Sequence, residues 1–277
     1  MPFRMRRGGM DMLYAFAVSA LAGLSTGLGG LVVLFIRRPG PGVMAFSLAF
    51  AGGVMTTVSL ADMIPHAVET YAAGGLPLYA AGLQATSLMV MGMLVALALA
   101  RCIPEPEPTA LVAGGGRVGE GRAVTPGVLH SAMVTTAAII LHNLPEGILT
   151  LFSSYQDRAL GGALALAIAL HNIPEGIAIS VPVSCATGSR ARGVLYALAS
   201  GLAEPLGAGI AFCFLQGFLS PTFLNGLIAL IAGVMLWVSA AELLPQAFAQ
   251  PGPRAKGWGV TGFCVGAAVM TVGIYLV

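Results

Sequence analysis

The sequence predicts an all-α integral membrane protein of eight transmembrane helices. They fall in a 3+2+3 arrangement, with spans 1–3 and 6–8 forming an inverted repeat around spans 4–5. Three observations predict this. Eight apolar stretches fill the chain, and a bilayer span needs about 20 such residues. The segment 53–67 is respelled in 233–247 at a constant offset of 180 residues. Between the two, one polar phrase is written twice in apolar surroundings, as Leu141-His142-Asn143-Leu144-Pro145-Glu146-Gly147-Ile148 and Leu170-His171-Asn172-Ile173-Pro174-Glu175-Gly176-Ile177.

Hydrophobic residues make up 57% of the chain and charged residues 9%, where a soluble domain carries roughly 25% charged. The spans run over roughly 12–36, 42–66, 76–100, 127–152, 159–183, 193–217, 222–247 and 257–277. They leave no room for a soluble domain, so 1–277 reads as a single transmembrane domain. Residues 1–11 read as a short tail, and the stretch after them is too long for the apolar core of a signal peptide. Residues 102–126, with Pro104-Glu105-Pro106-Glu107-Pro108 and Gly114-Gly115-Gly116, read as a flexible loop without His or Cys. Cys102, Cys185, Cys213 and Cys264 are far apart and form no CxxC pattern, so they read as small apolar residues rather than a disulfide framework.

Charge position says more than the net charge of +2. The bases fall in loops and the tail, while Asp62, Glu146, Glu175, Glu204 and Glu242 fall inside spans. An acidic interior without bases attracts cations. One set of alternate loops holds Arg37, Arg38, Arg101, Arg117, Arg122, Arg190, Arg192, Arg254 and Lys256; the other side holds Arg158 with Arg4, Arg6 and Arg7 of the tail. The excess places loop 102–126 in the cytosol and both termini outside.

The repeat matches Gly53-Val54-Met55, Val58-Ser59, Ala61-Asp62, Pro65 and Ala67 with Gly233-Val234-Met235, Val238-Ser239, Ala241-Glu242, Pro245 and Ala247. Span one echoes span six more weakly, Thr26-Gly27-Leu28-Gly29-Gly30 against Glu204-Pro205-Leu206-Gly207-Ala208, at an offset of 178. Five helices separate span two from span seven, so the two cross in opposite directions. Inverted repeats with a site near the midplane are a mark of secondary transporters.

His, Asn and Glu inside lipid-spanning sequence are costly, which makes them candidates for function. On a helix turning about 100° per residue, Glu146 lies between His142 and Asn143 on one face, and Glu175 lies likewise between His171 and Asn172. Each carboxylate has two oxygens, one to share with the His and one with the Asn. Pro145 and Pro174 each free the carbonyl four residues back, and Gly147 and Gly176 let a neighbouring helix come close. Two imidazoles and two carboxylates suit Zn²⁺, Fe²⁺ and similar metals rather than Mg²⁺ or Ca²⁺. A second ion on Asn143, Asn172 and both Glu residues needs a further negative charge, and Glu204 is the evident donor. The competing reading for either copy alone is a structural histidine beside a helix-kinking proline.

These residues carry a resemblance. HNLPEG and HNIPEG on consecutive spans, with SGLAEPLGA at 200–208, resemble the ZIP metal transporters (Zrt-, Irt-like proteins), nearest the bacterial ZupT-type branch. The resemblance covers essentially the whole chain and implies uptake of Zn²⁺, and often Fe²⁺, Mn²⁺, Co²⁺ or Cd²⁺, into the cytosol. It implies a binuclear metal site, with one ion on His142, Glu146, His171 and Glu175 and a second on Asn143, Glu146, Asn172, Glu175 and Glu204. It also implies that spans 1, 4, 5 and 6 carry the ion and that 2, 3, 7 and 8 act as a frame. The family's frequent His-rich cytosolic loop is missing here.

Asp62 and His66, four apart at the outer end of span two, are candidates for an ion entrance, and Glu242, the repeat-mate of Asp62, for an exit; interfacial polar residues are the alternative. His130 reads as solvated or interfacial, and Gly262 and Gly266 as a close-packing pair. The rivals are an intramembrane zinc hydrolase, which needs an open metal position and a separate base, and a passive metal channel. No cofactor is expected, the metal being cargo. The expected partners are metal ions and the lipid bilayer, with a homodimer left open and no nucleic acid. The expected location is the inner or plasma membrane, or a plastid envelope for a chain from a photosynthetic cell.

Overall fold

The structure is a computed structural model that describes residues 9–36, 40–103, 126–156, 158–215 and 220–276. Among the described residues there is no strand, and eight helices are long and apolar enough to cross a membrane. They are α1 (Gly9–Phe35), α2 (Pro41–Ala73), α3 (Leu78–Cys102), α4 (Pro126–Gln156), α5 (Arg158–Thr187), α6 (Arg190–Phe214), α7 (Thr222–Phe248) and α8 (Pro253–Leu276). Residues 1–8 of the expected tail and 104–125 of the expected loop lie outside the described residues. The spans agree with the apolar stretches to within a few residues, except that α2 runs on to Ala73.

Local chemistry sets several boundaries. Pro41 opens α2 after an extended Gly40, where a missing N–H costs nothing. The Ser189 hydroxyl accepts from the Arg192 N–H at 3.3 Å and caps α6. Ser220 caps α7 in the same way through the Phe223 N–H at 3.1 Å. Gly188, at φ +65°, turns the chain between α5 and α6, a backbone conformation that only glycine adopts without strain.

The helices pack in two groups. α1, α4, α5 and α6 form one; α2 packs on α8, and α3 on α7, in the other. Contacts of α2 with α5 and of α7 with α4 join them. Two thirds of the spans in α2 and α4 is buried (67% each), against 17% in α3 and 28% in α8, so α2 and α4 are the most enclosed and α3 and α8 the most peripheral. Gly262 and Gly266 bring α8 onto α2, since a Cβ on either would crowd the carbonyls of Phe46 and Phe50.

Two helices change pitch at equivalent places. α2 is π-helical over Ser59–Met63 and α7 over Val238–Leu243. The Ile64 N–H donates to the Ser59 carbonyl, and the Leu244 N–H to that of Ser239, each reaching five residues back. Pro65 and Pro245 follow directly. Each removes an N–H and presses on the carbonyl four residues before it, and one wider turn relieves that pressure.

Close contacts recur in matched pairs. A Cβ on Gly53 would strike the Phe263 carbonyl, and one on Gly233 the Met89 carbonyl. A Cβ on Gly147 would strike the Glu204 carbonyl, and one on Gly176 that of Thr26. Gly207 abuts the Leu144 carbonyl as Gly29 abuts that of Ile173, while Gly23 and Gly201 face each other's carbonyls. Matched positions differ by 178 between α1 and α6, 180 between α2 and α7, 174 between α3 and α8, and 29 between α4 and α5. The burial pattern of 51–60 repeats residue for residue in 231–240.

Candidate metal centre

α4 carries His142, Asn143 and Glu146, α5 carries His171, Asn172 and Glu175, and α6 carries Glu204. All seven are buried, and Asn143, Asn172, Glu175 and Glu204 are wholly so, at 0% exposure. Glycine backbones make this possible. Gly147 lets α6 lie against α4 at the Glu204 carbonyl, and Gly176 lets α1 lie against α5 at the Thr26 carbonyl. Pro145 and Pro174 sit inside continuous helices beside these contacts.

The His and Glu side chains pair across the two helices. His142 Nε2 donates to Glu175 Oε1 at 2.9 Å, and His171 Nε2 donates to Glu146 Oε1 at 3.2 Å. Each His thus reaches the Glu of the other helix, which brings all four side chains together between α4 and α5. The asparagines dock on backbone. Asn143 Nδ2 donates to the Ser200 carbonyl at 3.1 Å, and Asn172 Nδ2 to the Ala22 carbonyl at 3.0 Å. Asn172 Nδ2 also donates to Glu204 Oε1, which brings the α6 carboxylate into the cluster.

Five buried oxygens here have no hydrogen-bond partner: Oε2 of Glu146, Glu175 and Glu204, and Oδ1 of Asn143 and Asn172. Buried polar atoms are rarely left so, and each calls for an explanation. Acceptor oxygens with no donor to meet them are the complement of a cation. Among the described residues, no three His, Cys, Asp or Glu side chains are already gathered around one point. An ion held by all four His and Glu groups would take the place of both hydrogen bonds.

The other sequence candidates lie apart from this cluster along the chain. Asp62 and His66 are exposed on α2, with His66 Nε2 at 3.5 Å from the Thr70 hydroxyl. They are not at the end of the helix, which continues to Ala73. Glu242 is half-buried in the π-helical turn of α7, as Asp62 sits in that of α2. His130 is half-buried near the start of α4. The four cysteines are free. Sequence reading missed Ala22 and Ser200, whose carbonyls hold the asparagine amides. Backbone acceptors leave no side-chain signature, yet the two differ by the same 178 residues as Thr26 and Glu204, so the repeat held the clue.

Comparison with known proteins shows the family. A family model described as ZIP Zinc transporter matches residues 117–273. The chain is 37% identical over 266 residues to a "Zinc transporter ZupT" of Chlorobium phaeovibrioides, covering 96% of this chain and 98% of that protein. It is 36% identical over 275 residues to the protein of the same description from Corynebacterium efficiens, covering 96% and 98%. The one from Stenotrophomonas maltophilia is 40% identical over 235 residues, covering 84% and 85%.

Proposed function

Because the chain belongs to the ZIP family of zinc transporters, we propose that it moves divalent transition-metal ions, Zn²⁺ first among them, through the crossed His–Glu cluster of α4 and α5. The observation that carries this reading is the crossed pair itself: two imidazoles and two carboxylates, buried mid-helix and bonded to one another across the two helices. The donor set is borderline in softness, which suits Zn²⁺ and admits Fe²⁺, Mn²⁺, Co²⁺ and Cd²⁺. Two carboxylates neutralise one divalent charge and lower the cost of holding it away from water.

One ion sits on His142, Glu146, His171 and Glu175. A second sits on Asn143, Glu146, Asn172, Glu175 and Glu204, whose unpartnered oxygens support this assignment. The matched contacts and matched π-helical turns support an inverted repeat of α1–α3 and α6–α8 around α4 and α5. Two equivalent packings of such a repeat give alternating access. The ions enter the cytosol across an inner or plasma membrane, and the distribution of basic residues supports an orientation with loop 102–126 on the cytosolic side. Asp62 and His66 collect ions at the entrance, and Glu242 hands them on at the exit. The hydrolase alternative is set aside, because the family is one of transporters.

Zn²⁺ entry into proteoliposomes holding an internal zinc dye tests this. Saturable entry in wild type, lost in Glu146→Ala and His171→Ala, is the expected result. Flux that never saturates would replace the carrier by a channel, and an absence of flux in wild type would overturn the transport reading.

A further inference from the structure

The pseudo-symmetry is broken at one place in the cluster. Thr26 on α1 holds the position that Glu204 holds on α6. A Cβ on Gly201 would lie 3.2 Å from Thr26 Cβ, and a Cβ on Gly23 would lie 3.3 Å from Glu204 Cβ. Thr26 is wholly buried, and its hydroxyl has no hydrogen-bond partner. Thr136, Thr150, Thr187, Thr261 and Thr271 bond back to the carbonyl four residues earlier; among the described buried threonines, Thr135 alone shares the unpartnered hydroxyl of Thr26.

Asn143 is the neighbour that matters. Its amide nitrogen docks on the Ser200 carbonyl, one residue before the Gly201 that faces Thr26. Its Oδ1 is buried and without a partner. Asn172 is placed in the same way against α1 at Ala22, one residue before Gly23, and there the side chain that completes the arrangement is Glu204. The two halves therefore match in how the asparagine docks and differ in the side chain at the paired position, a carboxylate bonded to the amide in one and an unbonded hydroxyl in the other.

We propose that Thr26 and Asn143 form a neutral half-site for the transported divalent cation, the counterpart of the acidic half-site of Asn172 and Glu204, and that the ion steps onto it as it crosses. The inference rests on the transport reading above. Uncharged oxygens hold a divalent ion weakly, so the ion dwells beside Glu204 and passes quickly over Thr26. A carboxylate in both halves would hold the ion equally on each side and slow its departure.

The test uses the full-length protein in proteoliposomes, with Zn²⁺ and Cd²⁺ as probes and wild type and Glu146→Ala as references. Thr26→Val keeps the shape and removes the hydroxyl. It should slow saturated Zn²⁺ entry about fivefold, the value of one lost hydrogen-bond-strength contact, while Thr26→Ser stays within about twofold. Thr26→Cys places a thiol where soft metals prefer it, so Cd²⁺ should block entry at about tenfold lower concentration than in wild type, whose own cysteines set the background. Equal slowing by Val and Ser would show a packing role and overturn the proposal, as would wild-type speed in Thr26→Val or an unchanged Cd²⁺ response in Thr26→Cys. If wild type moves Zn²⁺ and Glu146→Ala does not, such results overturn the Thr26 half-site alone. If wild type moves none, the transport reading falls and takes this inference with it.

Discussion

His142 on α4 is hydrogen-bonded to Glu175 on α5, 33 residues away, at 2.9 Å. The reciprocal bond from His171 to Glu146 completes a cross between the two helices. Each pair sets a ring and a carboxylate from different helices against each other, so the cluster is built jointly by α4 and α5.

The cross predicts a pattern of energetic coupling. In thermal unfolding of detergent-purified protein, the cycle of His142→Ala with Glu175→Ala should show a coupling of about 1–3 kcal/mol. The cycle of His142→Ala with Glu146→Ala, which share no direct hydrogen bond, should show a smaller coupling. Equal coupling in the two cycles would contradict the crossed geometry.

Glycine backbones at the helix crossings predict a second pattern. Gly147→Ala and Gly176→Ala should each destabilise by about 1–3 kcal/mol or more, because the new methyl strikes the carbonyls of Glu204 and Thr26. Gly82→Ala and Gly209→Ala, which meet nothing within 4 Å, should be neutral or stabilising by up to about 1 kcal/mol. Shifts in unfolding temperature across the four variants decide the matter.

Proton competition predicts the pH response. Histidine and glutamate ligands must lose their protons to bind metal. As pH falls, protons occupy the same atoms, so uptake at limiting Zn²⁺ should decline between about pH 7.5 and pH 5, a range that brackets free histidine. Raising Zn²⁺ should restore part of the rate. Flat uptake over that range would count against direct ligation by His142 and His171.

The proposed entrance predicts a concentration-dependent defect. Asp62→Ala combined with His66→Ala should lower uptake about threefold or more at limiting metal and leave it unchanged at saturation, since a local acidic group raises ion capture rather than turnover. Unchanged uptake at limiting metal would remove the entrance role.

Much of the fold was legible because lipid imposes a simple rule: a span must be long, apolar and helical. Apolar runs located α1 to α8, and the twin His-Asn-x-Pro-Glu-Gly phrases located the cluster. Angles along one helix, however, say nothing of which helix lies opposite. They put His142 and Glu146 on one face, and only the tertiary packing shows which atom of the partner helix, Glu175 Oε1, meets His142. The end of α2 was misjudged for a related reason. Asp62, His66 and Glu69 lower local hydropathy, yet the helix continues through them to Ala73. The π-helical turns of α2 and α7 have no local spelling beyond a proline close behind, and they became recognisable only as a pair.

X-ray absorption at the zinc edge of the loaded, full-length protein tests the central claim most directly. The account predicts a shell of nitrogen and oxygen ligands at about 2.0–2.1 Å with imidazole scattering and no sulfur at about 2.3 Å, the imidazole signal vanishing in the His142→Ala, His171→Ala double variant. A sulfur shell, or imidazole scattering that survives in that variant, would place the ion elsewhere and contradict it.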